Sequence, residues 1–158
     1  MYLILYNDFL SIEPYQNQVY YCLAPTSVWF TKQAPKEIWL KLMEQLSAEG
    51  ASIYLLGAPS DQAYLTEIIE ESKNKQLVNL AGQLSLLQSA ALMSGAKRNY
   101  VNDSGPLHLA SATNAPVSAF FCSTVPEFGF GPLSDQSEII EVSNLDCRPC
   151  VFTATKAA

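Results

Sequence analysis

The chain has 158 residues, 49% of them apolar and 15% charged, with a formal net charge of −6. That length closes one hydrophobic core without covalent staples, and the composition excludes a disordered or fibrous chain. The acidic balance, with no cluster of lysine or arginine, excludes a nucleic-acid surface, which needs a basic stripe to displace counterions.

Met1-Tyr2-Leu3-Ile4-Leu5-Tyr6 opens the chain as a short apolar run. It has no basic segment before it and is interrupted by Asn7 and Asp8, unlike a secretory signal. No run reaches the roughly 20 apolar residues that span a bilayer. Four cysteines, Cys22, Cys122, Cys147 and Cys150, are too few and too scattered for a disulfide framework. A reducing cytoplasm is the expected location. Residues 1–18 hold Asn7, Asp8, Glu13, Pro14, Gln16, Asn17 and Gln18 and read as a strand-like stub followed by a linker. The domain proper is expected over 19–150, with 151–158 as a tail.

From Val19 the pattern alternates. Val19–Ala24 is rich in β-formers and ends at Pro25. Pro35 opens a helical pattern carrying Ile38, Trp39, Leu42, Met43 and Leu46, with Gly50 placed as a C-terminal glycine. Ser52–Leu56 is the next strand, closed by Gly57. Ser60 or Asp61 can cap a helix bearing Leu65, Ile68 and Ile69. Leu77–Leu80 is a short strand, Ser85 caps a helix that runs to about Gly95, and Asn99–Val101 is a strand. Pro106–Thr113 is a short helix, and Val117–Phe121 and Ile139–Val142 are strands. Nearly continuous apolar strands alternating with helices predict an α/β fold: a Rossmann-like parallel sheet with helices on both faces.

Ligands of such sheets sit beyond the carboxyl ends of the strands, where three loops have unusual composition. In Asn102-Asp103-Ser104-Gly105-Pro106-Leu107-His108, Asp103 or Ser104 can cap the helix, Gly105 allows close backbone approach, and Pro106 suits the first turn. The free amides there, aided by the helix dipole, favour an anion such as a diphosphate. His108 can lie over the same turn. An ordinary capped helix with a partly buried histidine fits the same letters. In the loop 24–35, Thr26 and Ser27 offer hydroxyls and Lys32 an ammonium suited to phosphate oxygens; a solvated loop is the competing reading. In the third, Gly82 and Leu84 can form a slot for a flat base and Asp61, from the neighbouring loop, can accept from a ribose hydroxyl. A turn glycine and a helix cap are the plainer alternatives.

Taken in order, these segments resemble the ADP-heptose:lipopolysaccharide heptosyltransferase family. The resemblance rests on Pro25-Thr26-Ser27, Lys32-Gln33-Ala34-Pro35 with Trp39, Gly57-Ala58-Pro59, Asn79-Leu80-Ala81-Gly82-Gln83-Leu84-Ser85-Leu86 and Asn102 through Ala110. It continues through Ala115-Pro116-Val117 and Gly131-Pro132-Leu133 to Leu145-Asp146-Cys147-Arg148-Pro149-Cys150, about residues 19 to 150. It implies the C-terminal, donor-binding half of an enzyme with two Rossmann-like domains (the GT-B type). The general base and the acceptor site would lie in an N-terminal domain that this sequence lacks. Family roles put Thr26 and Ser27 on the phosphates, Lys32 paired with them, and Asp103 on the sugar. The Ser104 and Gly105 amides would hold the diphosphate with support from His108, Leu84 would lie against the base, and Asp61 would approximate a ribose contact. Lys32 and Asp103 are the residues assigned to catalysis. Ala34 departs from the aromatic residue common in relatives.

The implied reaction is inverting transfer of heptose from an ADP-sugar donor to a lipopolysaccharide-core acceptor. No cofactor is called for, and one histidine with scattered carboxylates makes no metal cage. The full enzyme's peripheral association with a membrane stays open. The alternative is a non-catalytic nucleotide-sugar-binding module. A third reading gives Cys147 and Cys150 a thiol or metal role, although two ligands fall short of a tetrahedral zinc site. Cys22 and Cys122 read as small core residues. Trp29 and Phe30 are expected in the core, with exposure toward a partner domain as the alternative, and Phe128 and Phe130, flanked by glycines, near the cleft.

Overall fold

The computed structural model describes residues 6–72, 74, 76–143, 145, 146, 148 and 149. Its elements are α1 (Tyr6–Ile12), β1 (Tyr20–Ala24), α2 (Lys36–Ser47), β2 (Ser52–Leu55), α3 (Gln62–Ser72), β3 (Leu77–Asn79), α4 (Leu86–Gly95), β4 (Arg98–Asn102), α5 (Gly105–Ala112), β5 (Val117–Phe121) and β6 (Ser137–Glu141). Short 3₁₀ turns fall at Glu13–Tyr15, Phe30–Lys32, Pro59–Asp61 and Pro126–Phe128.

The strands form one sheet in the order β3-β2-β1-β4-β5-β6, with every pairing parallel. This is the doubly wound order, in which the chain reverses its direction of travel across the sheet between β1 and β4. Strand periodicity divides the core between the two faces. Tyr20, Cys22, Ala24, Val117, Ala119 and Phe121 point to one side, where α4 and α5 supply Ala91, Leu92, Met93, Leu107 and Ala110. Tyr21, Leu23, Ile53, Leu55 and Phe120 point to the other, against Trp39, Met43 and Leu46 of α2 and Leu65 and Ile68 of α3. The Trp39 ring meets Phe120 edge-on at 4.9 Å, a favoured aromatic geometry.

Local chemistry sets the element ends. Ser85 caps α4 by accepting from the Gln88 amide, and the Gln88 side chain returns to the Ser85 amide, a reciprocal capping box. Gly50 (φ 73°) and Gly82 (φ 70°) adopt left-handed conformations that suit glycine.

Two expectations for the flanks are revised. Residues 6–18 are not an extended stub and linker. Tyr6–Ile12 is a helix packed against α4, with the Ile12 side chain fully buried. The Tyr15 carbonyl accepts from the Tyr54 hydroxyl at 2.8 Å, and the two rings meet at 5.3 Å. The polar residues that suggested a linker face outward, so long-range burial of Ile12 and Tyr15 governs the segment. Trp29 and Phe30 are not core residues either: they are 47% and 62% exposed. Cys22 is buried as expected, and burial pushes its thiol upward. Cys147, Cys150 and the tail 151–158 lie outside the described residues. Among the described residues, no helix is long and apolar enough to cross a membrane.

Candidate functional site

Because every strand runs the same way, the loops after β1, β2, β3, β4 and β5 all emerge along one edge of the sheet. Register aligns Ala24 of β1 with Val101 of β4, so the residues just beyond them, Pro25 and Asn102, are neighbours at the switch point. Asn102 is fully buried. Its Nδ2 donates to the Pro25 carbonyl at 2.8 Å and to the Ala24 carbonyl at 3.4 Å, and its Oδ1 accepts from the Ala34 amide at 2.9 Å. One side chain therefore ties both ends of the long β1–α2 loop to the end of β4. Buried polar groups satisfied on every side lock a loop far better than exposed ones.

That latch brings Lys32, on the 3₁₀ turn of the loop, to Asp103. Lys32 Nζ donates to Asp103 Oδ2 at 2.7 Å; the side chains are 26% and 6% exposed. Thr124, in the loop after β5, donates its hydroxyl to the same oxygen at 2.6 Å. An ammonium has three protons. With one on Asp103, two remain, and no other described acceptor engages them.

The start of α5 follows directly. Ser104 occupies the N-cap position in extended conformation, but its hydroxyl makes no capping bond and instead donates to the Asn102 carbonyl at 3.3 Å. Asp103 does not cap either; its carboxylate is turned so that Oδ2 meets Lys32 and Thr124. The Leu107 amide is taken by the Ser104 carbonyl at 3.0 Å. Among the described residues, no acceptor meets the Ser104 or Gly105 amide. A Cβ built on Gly105 would contact nothing within 4 Å. The first turn thus has open space on the Cβ side of Gly105 and unpaired donors at the positive end of a helix dipole.

The remaining residues are placed as follows. Thr26 donates to Asp61 Oδ2 at 3.0 Å, and the Ala58 amide donates to the same oxygen at 2.8 Å. Asp61 therefore closes the Pro59–Asp61 turn from within and does not cap α3 from its N-cap position. Gly57 lies against Asp61, and the Gly82 amide donates to the Gly57 carbonyl at 3.0 Å, which joins the β2 and β3 loops. Ser27 is half-buried, with its carbonyl accepting from Gln33 Nε2 at 2.8 Å. Leu84 packs, half-buried, on the core face beneath α4 and α5. His108 is exposed, not partly buried, and its ring stands edge-on to Phe130 with centroids 6.3 Å apart. Phe130 is itself 61% exposed, and Gly129 beside it has φ 89°.

A shallow hollow of about 610 Å³ opens beside Phe30, lined by Ala34, Pro35, Tyr64 and Cys122 and, among polar residues, by Thr31, Gln33, Lys36, Glu37 and Ser123. It includes neither Lys32, Asp103 nor Ser104. Of its donors, Lys36 is paired with Glu67 and Glu71 and Gln33 with the Ser27 carbonyl, whereas the Lys32–Asp103 cluster adjoins unpaired backbone amides, so the cluster is the better anion site on chemical grounds. Residues that the sequence did not single out are Asn102, whose signal is a polar residue ending an apolar strand, and Thr124, which follows β5 as Thr26 follows β1. Among the described residues, no group of His, Cys, Asp and Glu is arranged to hold a metal ion.

Comparison with known proteins places this arrangement. The family model for glycosyltransferase family 9 (heptosyltransferase) matches residues 7–157. Lipooligosaccharide heptosyltransferase 2 of Haemophilus influenzae is 33% identical over 114 residues, which is 70% of this chain and 33% of that protein. Lipopolysaccharide heptosyltransferase 2 of Escherichia coli is 32% identical over 114 residues, 70% of this chain and 32% of that one. Among solved structures, ADP-heptose lipopolysaccharide heptosyltransferase II of E. coli superimposes with a TM-score of 0.78 at 24% identity, covering 93% of this chain and 49% of its own. An E. coli heptosyltransferase solved with ADP gives a TM-score of 0.72 at 25% identity, covering 84% and 41%. The chain spans about a third of the length of these curated relatives and about half of the first solved one.

Proposed function

The chain belongs to glycosyltransferase family 9, the heptosyltransferases, and on that footing we propose that its 158 residues are the donor half of a sugar transferase. They bind an ADP-sugar, of which ADP-heptose is the leading candidate, for inverting transfer to a hydroxyl of a lipopolysaccharide core. One observation carries this reading: two unpaired amides, of Ser104 and Gly105, open the helix that follows Asp103, and Asp103 holds the Lys32 ammonium at 2.7 Å. Backbone donors, a helix N-terminus and a cation with two spare protons suit a diphosphate.

The same groups suit the transition state. As the anomeric C–O bond breaks, negative charge grows on the phosphate oxygen that leaves. Donors already in place stabilise that charge without reorganising when it appears. Asp103 keeps Lys32 in position and has its other carboxylate oxygen left for a sugar hydroxyl. Ser27 stands at the end of the adjacent strand for the remaining phosphate oxygens, and Thr26, whose one hydroxyl proton is on Asp61, joins it by giving up that bond. Leu84 and Asp61 serve the base and ribose, with Asp61 also holding the Thr26 hydroxyl. His108 borders the site and is not the general base; that group, and the acceptor site, come from a domain outside these 158 residues.

Calorimetric titration with ADP, AMP and ADP-sugar tests the reading. Binding of ADP well above AMP, weakened in Lys32→Ala toward the AMP value, supports a diphosphate site; equal affinity for ADP and AMP, or none for either, removes it. The second reading is a nucleotide-sugar-binding module without turnover of its own. Transfer to a lipopolysaccharide-core acceptor by the 158 residues alone would exclude that module.

A further inference from the structure

The Lys32–Asp103 pair is itself held from behind. Arg148, whose side chain is 7% exposed, donates from Nε at 3.0 Å and Nη2 at 2.8 Å to the Thr124 carbonyl. The same guanidinium reaches the Val142 carbonyl at 3.1 Å and the Glu141 carboxylate at 2.5 Å. This planar fork anchors the loop after β5 to the segment after β6. A guanidinium is suited to the task because its donors lie in one rigid plane and it stays charged at every accessible pH. The Thr124 hydroxyl, set by that anchored backbone, donates at 2.6 Å to the Asp103 oxygen that receives Lys32. Asp103 is almost fully buried, so water competes little with Thr124 and Lys32 for that oxygen. Its rotamer follows Thr124, and the position of the ammonium follows the carboxylate.

We infer that Thr124 and Arg148 are positioning residues for the Lys32 ammonium, acting through Asp103 without touching the nucleotide, an inference that rests on the donor-site reading above. Arg148 holds the Thr124 backbone, Thr124 orients the Asp103 carboxylate, and Asp103 fixes Lys32 with two protons directed away from the pair. The anchor comes from the far end of the chain, 24 residues beyond Thr124 and distant in sequence from every loop of the site.

ADP titrated calorimetrically into the 158-residue chain and its variants tests this relay. Thr124→Val and Arg148→Gln are expected to weaken ADP binding about three- to tenfold, the loss of one hydrogen-bond link, while Thr124→Ser stays within about twofold of the parent. In a Lys32→Ala background, Thr124→Val should cause no further loss, because the relay acts only through that ammonium; a structural role would weaken both backgrounds equally. Parent affinity in Thr124→Val, or losses from Thr124→Val and Lys32→Ala that multiply, would overturn the inference. If Arg148→Gln fails to fold by circular dichroism, the Val and Ser pair at Thr124 still decides. If the parent chain binds no ADP, the donor-site reading falls by itself. The relay is then read in the free protein from the ¹³C resonance of dimethylated Lys32, which should move in Thr124→Val and would refute the relay by staying in place.

Discussion

Lys32 Nζ and Asp103 Oδ2 stand 2.7 Å apart although 71 residues separate them in the chain. Their meeting depends on the parallel sheet, which brings the ends of β1 and β4 side by side, and on Asn102, which fastens the loop bearing Lys32 to the strand preceding Asp103. The pair is only partly shielded, with Lys32 26% exposed. Its worth to stability is therefore modest, and its chief consequence is where it places a positive charge.

Asn102→Ala should be the most costly single change at this edge. It strands the buried Ala34 amide and the Pro25 carbonyl, and each orphaned buried group costs about 1–3 kcal/mol. A loss of about 2–4 kcal/mol in urea unfolding is expected, together with increased amide exchange across residues 25–35. An unchanged midpoint would mean that the loop is held by other contacts.

Gly105 and Gly82 should behave in opposite ways when changed to alanine. A Cβ at Gly82 would lie 2.8 Å from the Pro59 Cα on a backbone with φ +70°, so Gly82→Ala should cost about 1–3 kcal/mol. A Cβ at Gly105 meets nothing within 4 Å. Gly105→Ala should leave the Tm unchanged or slightly raised, yet weaken ADP binding by about tenfold, because the methyl intrudes where a phosphate must approach the amide. Calorimetry and thermal melts of the two variants separate these effects.

A charged cluster away from the site sets an acid-side dependence. Lys97 and the Tyr21 hydroxyl both bond Glu49, at 2.7 and 2.5 Å, and hold its carboxyl below the usual carboxylate value. A carboxyl depressed in the folded state contributes stability above its unfolded pKa and loses it as pH falls through the folded value. Melts of the parent and Glu49→Gln should therefore converge as the pH drops from roughly 5 to 3. Lys97 and Glu49 are exposed, so 0.5 M salt should shrink the difference; a gap that persists at low pH and high salt would contradict this.

Much of the fold was legible because local and global preferences agree. The capping box at Ser85 and Gln88, the glycine at 50, and the continuous apolar strands each point to the observed element. The helix Tyr6–Ile12 was hidden because its stabilising contact is the burial of Ile12 by α4, some 80 residues away, and nothing in its local composition signals that. The exposure of Trp29 and Phe30 was one of two readings that the sequence left open, since apolarity alone does not say which side of a loop faces water. At the site, the loops were readable from their hydroxyls, glycine and lysine. Their partners were not: Lys32 was assigned to phosphates and Asp103 to the sugar, and only chain closure shows the two bonded to each other with Thr124.

The central claim is that the amides opening α5 and the ammonium of Lys32 together receive a diphosphate. Titration of ¹⁵N-labelled protein with ADP, followed by amide chemical shifts, tests it most directly. The account predicts downfield shifts largest at Ser104 and Gly105 that saturate with the calorimetric affinity and need higher ADP concentrations in Lys32→Ala. Saturable shifts centred instead on the hollow around Phe30 and Tyr64, with Ser104 and Gly105 unmoved, would contradict it.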